Sequence, residues 1–206
     1  MELSAIIYDC EIIKCIPPRD GIRNDDFAYC DGWHDHANMG ISVIGAYDYL
    51  TGQLKSYVDF DLVPELPGCS DFDEFEHLAS LRDHVIGFNS LGFDDKLCTA
   101  HDIQVETTYD LLCEVRVASG QPPNYVKGKT KAGYSLDALA KASLGDQKTG
   151  HGELAPELWQ RGKYYEVIRY CLNDVWLTKR LFDQRAGLID PTDGTTLVLR
   201  EPAHAA

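Results

Sequence analysis

No stretch of this chain is long and apolar enough to span a bilayer, and no basic segment followed by an apolar run stands near its start. Cysteine pairs with the C-x-x-C spacing are also missing, and the seven cysteines are an odd number, which argues against a framework of disulfides. We therefore expect a cytoplasmic protein, in an intracellular and reducing compartment, that does not associate with a membrane.

Basic residues are scarce: 19 Lys and Arg stand against 33 Asp and Glu, which gives a formal net charge of −14. This balance argues against a surface coated with positive charge for nonspecific duplex binding. It leaves nucleic acid open as a substrate, because bound metal ions would offset an acidic site and cations are needed only locally. Lys127, Lys129 and Lys131 form one local cluster of cations, for which a solvated loop is the alternative interpretation.

The rest of the composition is that of an ordinary globular protein, and 206 residues are enough for a single domain that spans 1–206. The β-prone runs predict five strands, at 3–13, 40–50, 53–60, 84–88 and 107–111. Helical patterns predict helices at 70–82, 91–101, 135–145, 155–160 and 163–185, with Ser70 and Ser135 as N-caps.

Two segments fall outside this pattern. Residues 14–38 are polar and predict a long loop insertion, and residues 186–206 form a C-terminal extension with a short strand at 195–199. A hairpin followed by alternating strands and helices predicts an α/β fold. Its mixed five-stranded sheet would have three antiparallel strands, then two parallel ones, with helices on its faces.

Two acids interrupt the first predicted strand. Asp9 and Glu11 are two residues apart, so both side chains point to one face of the sheet while Cys10 points to the other. Their neighbours are apolar, and burying a carboxylate in such surroundings is expensive unless a cation lies beside it. An acid pair on an exposed strand edge is the alternative.

Asp94 opens a predicted helix directly after a strand and a turn. A carboxylate at this position gains from the helix N-terminus, so that gain alone could explain it, and Asp95 competes for the same role. If Phe93 packs inward, Asp94 lies beside it near the sheet, which favours Asp94 as a site residue.

The longest predicted helix carries an acid inside an apolar stripe. The stripe follows helical spacing and consists of Val167, Tyr170, Asp174, Leu177 and Leu181. Tyr170 stands one turn before Asp174 on the same side of the helix. A functional pair and a Tyr–Asp hydrogen bond in the core are both compatible with this pattern.

Taken together and in chain order, three segments resemble the motifs of the DEDD superfamily of 3′–5′ exonucleases. They are the pair Asp9 and Glu11, the segment from Asn89 to Asp94, and the pair Tyr170 and Asp174. The tyrosine places the resemblance in the branch (DEDDy) that includes the proofreading domains of family B DNA polymerases. This resemblance spans residues 3–185 and implies an RNase H-like fold.

The resemblance also implies a mechanism. Two Mg²⁺ or Mn²⁺ ions, about 3.5–4 Å apart, would be held by four carboxylates, those of Asp9, Glu11, Asp94 and Asp174. Tyr170 would orient the attacking water rather than act as a base, because a phenol with a pKa near 10 is mostly protonated at neutral pH. The implied activity removes nucleoside 5′-monophosphates from the 3′ end of single-stranded DNA or RNA.

Substrate contacts are expected at two places. Asn89 and Phe93 would contact the terminal nucleotide, and the phosphates would meet Lys127, Lys129 and Lys131. Tyr125 and Tyr134 flank the lysines and offer stacking surfaces, and His151 could approach the site from a glycine-flanked loop.

Two other functions are compatible with the same residues. One is an RNase H-like endonuclease or resolvase, which keeps the sheet and the two metals but cuts internally. The other is a noncatalytic module that binds nucleic acid and docks within a replication or repair assembly. Replication or repair proteins are accordingly possible partners.

Overall fold

A computed structural model describes residues 3–63, 66–146 and 154–203 of the chain. Eight strands occur in it: β1 Ala5–Ile12, β2 Ile41–Asp48, β3 Gln53–Tyr57, β4 Cys69–Ser70, β5 His84–Gly87, β6 Tyr109–Asp110, β7 Leu188–Ile189 and β8 Thr196–Leu197. The seven α-helices of these residues are α1 His36–Met39, α2 Phe72–Ser80, α3 Asp94–Ala100, α4 Leu111–Ala118, α5 Leu136–Leu144, α6 Ala155–Gln160 and α7 Tyr164–Asp183. None of the helices in the described ranges is long and apolar enough to cross a membrane.

Six of these strands form one mixed sheet in the order β4-β3-β2-β1-β5-β6. β1, β2 and β3 are antiparallel neighbours, and β5 and β6 continue the sheet parallel to β1. The prediction of an α/β fold with three antiparallel strands followed by two parallel ones is confirmed. The sheet has one strand more than the five predicted, because β4 adds two residues parallel to β3.

Helices cover both faces of the sheet. Alternate side chains of β1 divide between the faces, as the period of a strand requires. Ile6 and Tyr8 pack in one cluster with α2 and α3, whereas Ala5 and Ile7 pack in another with α5 and α7. Strand β1 is therefore buried on both sides, which explains its nearly continuous apolar sequence.

The helices differ from the predictions in several respects: α3 begins at Asp94 rather than at residue 91, and the short helix α1 was not predicted. Helix α2 is capped by Asp71, whose side chain accepts from the N–H of Asp73, so the assignment of Ser70 as its N-cap is wrong. Helix α4 was not predicted; it begins at Leu111, where the fifth strand was expected to continue. Ser135 caps α5 as predicted by accepting from the N–H of Ala138.

The long loop after β1 is held at several points. The N–H of Cys15 donates to the carbonyl of Ala28, and the N–H of Cys30 donates back to the carbonyl of Cys15. Gln160 of α6 reaches the same place, where its amide exchanges hydrogen bonds with the backbone of Ala28. The loop is thus anchored to the body of the protein and ends in the short helix α1.

Candidate metal centre

The site begins where β1 extends past the end of its parallel neighbour β5. β5 pairs with β1 only from Ala5 to Ile7, so the next residues of β1 lie past the pairing with β5. Sites in sheets of this kind form beyond the ends of parallel strands. Asp9 and Glu11 project there toward α7, on the side opposite to Cys10, as predicted; the thiol of Cys171 on α7 lies 3.8 Å from Oδ2 of Asp9.

Helix α7 approaches the sheet closely because a glycine of β2 faces the helix. Gly45 of β2 pairs with Asp9, and a Cβ at Gly45 would lie 2.9 Å from Sγ of Cys171 and 3.1 Å from Cγ2 of Val175. A larger residue at this position would force the side chains of Cys171 and Val175, or the helix that carries them, to shift. The contact fixes the height of α7 above the sheet, and with it the position of Asp174.

The predicted stripe on α7 is confirmed, since all five of its residues are buried. Asp174 is 2% exposed, and Tyr170 is buried one turn before it. Tyr170 also lines an open groove of about 900 Å³ along the outer side of α6 and α7.

Three carboxylates converge between β1 and α7. Each of Asp9, Glu11 and Asp174 offers one oxygen, and these three oxygens all lie within 4.8 Å of one another. Glu11 and Asp174 are buried and Asp9 is half-buried. Three like charges in a poorly solvated space repel one another, and hard oxygen donors are the ligands that Mg²⁺, Mn²⁺ and Ca²⁺ prefer. The donor set therefore fits a divalent metal ion, whose identity the residues alone do not fix.

Asp94 approaches the same strand from another direction. It is 5% exposed at the start of α3, and its Oδ1 accepts a hydrogen bond of 3.1 Å from the N–H of Cys10. Cys10 stands between Asp9 and Glu11, so the carboxylate of Asp94 borders the cluster without belonging to the group of three. Burial raises the pKa of Asp94 to about 7, although the N–H of Cys10 counteracts this shift.

The neighbouring Asp95 has different hydrogen-bond partners. Its carboxylate accepts from the hydroxyl of Tyr8 and from both the N–H and the hydroxyl of Thr107. These bonds tie α3 to β1 and to the segment before β6 on the far face of the sheet. The choice of Asp94 over Asp95 as the residue beside the acids agrees with this arrangement.

A buried acid that the sequence interpretation missed shapes the turn before Asp94. Asp110 caps α4 and also accepts from the N–H groups of Asn89 and Leu91, both at 3.1 Å. Asn89 has a φ of 64°, a left-handed conformation that asparagine tolerates better than most residues. The sequence signal was an acid directly before an amphipathic run, which is a typical N-cap.

The expected substrate contacts fall in two separate segments of the structure. Asn89 is exposed and Phe93 half-buried, next to Asp94. The three lysines, Lys127, Lys129 and Lys131, are exposed in the loop between α4 and α5. In that loop the N–H of Lys131 donates to Gln121. Against the effect of burial, hydrogen bonds from Thr192 and Tyr134 lower the pKa of Asp190, and the charge of Lys131 adds to this shift.

Of the two flanking tyrosines only Tyr125 can offer a stacking surface, since it is 70% exposed. Tyr134 is buried, and its hydroxyl donates to Oδ2 of Asp190, so the expectation that it offers a stacking surface is wrong. His151 lies outside the described residues.

Comparisons with known proteins agree with the fold. No protein-family model and no curated protein matches the chain. Among solved structures, the chain is similar to the family B DNA polymerase from the hyperthermophilic archaeon Pyrobaculum calidifontis, with a TM-score of 0.54 and 16% identity. The match covers 89% of this chain and 24% of the polymerase chain, so the chain spans about a quarter of that protein.

The architecture and this similarity define the class of the fold: an RNase H-like α/β fold whose mixed sheet is flanked by helices. At 16% identity the similarity concerns the fold alone. What the site adds is a cluster of acids, set between β1 and α7, that could hold metal.

Proposed function

We propose that this protein is a metal-dependent 3′–5′ exonuclease that hydrolyses phosphodiester bonds at the 3′ end of single-stranded nucleic acid. The observation that carries the proposal is the convergence of Asp9, Glu11 and Asp174, which come from opposite ends of the sequence. Their order along the chain, with Tyr170 one turn before Asp174, is that of the DEDD exonucleases with tyrosine.

The proposed ligands of two Mg²⁺ or Mn²⁺ ions are Asp9, Glu11 and Asp174, with Asp94 beside them. Such ions, when bound, supply positive charge that stabilises the transition state and lowers the pKa of water. The protein contributes carboxylates on two rigid elements, a central strand and a 20-residue helix. Rigid elements hold ligands more accurately than loops do.

Tyr170 has the role of a positioning group. Its hydroxyl belongs to a side chain that is 8% exposed and that borders the groove along α6 and α7. The hydroxyl would orient the attacking water toward the phosphorus atom and keep its own proton at neutral pH. Asn89 and Phe93, in the turn before Asp94, would contact the terminal nucleotide.

The products of this reaction are a nucleoside 5′-monophosphate and a strand shortened by one nucleotide. Lys127, Lys129 and Lys131 remain proposed contacts for phosphates farther along the strand, because single-strand tracks combine cations with aromatic surfaces. Tyr125, exposed beside them, supplies one such surface.

The test uses three labelled substrates: a linear single-stranded DNA, a matched RNA and a circular single strand, each with Mg²⁺, with Mn²⁺ and with a chelator. We expect mononucleotides from a linear strand in the presence of metal, and an intact circle. Cleaved circles would favour an endonuclease or resolvase instead. Tight Mn²⁺ binding without any nucleotide release would favour a noncatalytic docking module.

A further inference from the structure

An exposed tryptophan stands at the tip of an ordered turn in the loop after β1. Trp33 is 66% exposed, although a side chain of this size is usually buried to a greater extent. The turn around it is closed by Asp35, whose Oδ2 accepts from the N–H of Asp31 at 2.8 Å and whose own N–H donates to the carbonyl of Gly32 at 3.0 Å. The ring is therefore presented by a fixed piece of backbone.

One edge of this indole meets the residue that precedes Asp94. The ring centroids of Trp33 and Phe93 are 6.0 Å apart at an interplanar angle of 67°. The ring of His36, which lies on α1, has its centroid 5.6 Å from that of Phe93. A chain of contacts thus runs from Trp33 through Phe93 to Asp94, and from Asp94 to the backbone of β1 between Asp9 and Glu11. Trp33 is thus connected, through Phe93 and Asp94, to the strand that carries Asp9 and Glu11.

One lysine and two histidines lie near the aromatic group. A pocket of about 380 Å³ is lined by Lys96, His34 and His36. Burial lowers the pKa of His36, so the positive charge of this group is that of Lys96, whose ammonium also donates to the carbonyl of Gly92. Two carboxylates line it as well: that of Asp35 closes the turn around Trp33, and that of Asp95 accepts from Tyr8 and Thr107. An exposed aromatic ring with a lysine near it is the combination that a phosphodiester strand would contact, through stacking of a base and attraction of a phosphate.

We propose that Trp33 is a stacking platform for the base next to the 3′-terminal nucleotide of a single-stranded nucleic acid. The loop at 14–38 is then a substrate-binding element that extends the site from Phe93 outward. Phe93 adjoins Asp94 and so faces the terminal nucleotide, while Trp33 lies one ring farther from the acids and faces the following base. This inference rests on the proposed function.

The experiment combines a protein change with a substrate change. Trp33→Ala and Trp33→Phe are compared with wild type on an oligothymidylate and on the same strand with an abasic residue at the penultimate position. Nucleotide release with Mg²⁺ gives KM and kcat, and fluorescence anisotropy of a 5′-labelled strand in chelator gives Kd. Ile22→Ala is the matched control, because Ile22 is 75% exposed in the same loop.

Stacking on an aromatic side chain corresponds to a change of roughly tenfold in affinity for each base. We therefore expect Trp33→Ala to raise KM and Kd for the complete strand about tenfold, with kcat and the melting temperature nearly unchanged. Trp33→Phe should recover most of the affinity. The abasic strand should bind wild type as weakly as the complete strand binds Trp33→Ala, and the two changes together should cost little more than either alone.

Three results would overturn the inference: KM and Kd of Trp33→Ala within twofold of wild type, an equal loss in Ile22→Ala, or full additivity of the protein and substrate changes. Failure of the proposed function looks different. If wild type releases no nucleotides, the exonuclease assignment falls, and the anisotropy series alone decides whether Trp33 binds a strand. If wild type also fails to bind any strand, both proposals fall.

Discussion

Asp174 places a carboxylate where the rest of the α7 stripe is apolar, and it shares its space with Asp9 and Glu11. We expect Asp174→Asn to lower nucleotide release at least about 100-fold, the loss typical of a group that stabilises transition-state charge. Its free energy of unfolding in metal-free buffer should stay equal or rise, because one repelling charge is removed from the cluster. Nucleotide release and thermal melting in chelator measure the two effects.

Asp102→Asn is the control for the change of charge, because Asp102 is exposed and has a φ of 60°, which asparagine also adopts readily. It should leave activity and melting temperature near those of wild type. Equal activity of Asp174→Asn and wild type would contradict the assignment of the site.

Tyr170 differs from the acids in being a positioning group. Tyr170→Phe keeps the ring that packs against α6 and β2 and removes only the hydroxyl. We expect the rate to fall roughly 100-fold, since positioned proton-bearing groups contribute on that scale, while the affinity for Mn²⁺ remains near that of wild type. Turnover and calorimetric titration with Mn²⁺ separate the two quantities. A large loss of Mn²⁺ affinity would instead make Tyr170 part of the metal-binding group.

At the scale of elements, the contact between α7 and β2 sets the geometry of the acids. A methyl group at Gly45 would press on Cys171 and Val175, so Gly45→Ala should push α7 away from the sheet. We expect a loss of about 1–3 kcal/mol in the free energy of unfolding, as in other overpacked cores, together with reduced activity. Denaturant melts and nucleotide release test this.

Gly187→Ala is the matched control, because a Cβ there would meet nothing within 4 Å. It should be close to wild type in both measurements. If Gly45→Ala also left the free energy of unfolding and nucleotide release unchanged, the position of α7 would not depend on this glycine.

A second contact between elements lies at the other end of β2. The guanidinium of Arg82 donates two hydrogen bonds, of 2.7 and 2.8 Å, to the carboxylate of Asp48, and lowers the pKa of Asp48 to about 2. Because both side chains are nearly buried, Asp48→Asn should reduce the free energy of unfolding by about 3–5 kcal/mol at pH 7.

The same pair predicts a dependence on pH. The carboxylate of Asp48 titrates near pH 4 in the unfolded chain and near pH 2 in the folded protein. Its contribution to stability is therefore complete above about pH 4 and is lost as the pH falls toward 2. Between these values the stability of wild type should fall more steeply than that of Asp48→Asn. Parallel curves of stability against pH for the two proteins would show that the ion pair does not cause this dependence.

The elements that the sequence predicted well are those with a clear period. β1 could be identified because its apolar residues flank two acids on one face, and α7 because its stripe recurs every three or four residues. β4 depends on pairing with β3, because a two-residue strand carries no pattern of its own, and Asp71 caps α2 directly after this strand. The role of Asp110 depends on the turn at Asn89 meeting α4, a tertiary contact that no local signal contains.

At the scale of the whole molecule, the chain of 206 residues brings acids from both ends of its sequence into one space. The sequence could predict which acids stand on buried faces, because that follows from local periods. Their distances depend on the order of strands in the sheet and on the height of α7 above it, and these follow only from the complete fold.

The most direct test of this account is anomalous scattering from crystals of the protein grown with Mn²⁺. It predicts an ion bounded by the carboxylates of Asp9, Glu11 and Asp174, and a second one about 4 Å away on the side of Asp94. Crystals that contain Mn²⁺ at a concentration supporting nucleotide release, yet show no anomalous peak between these three carboxylates, would contradict it.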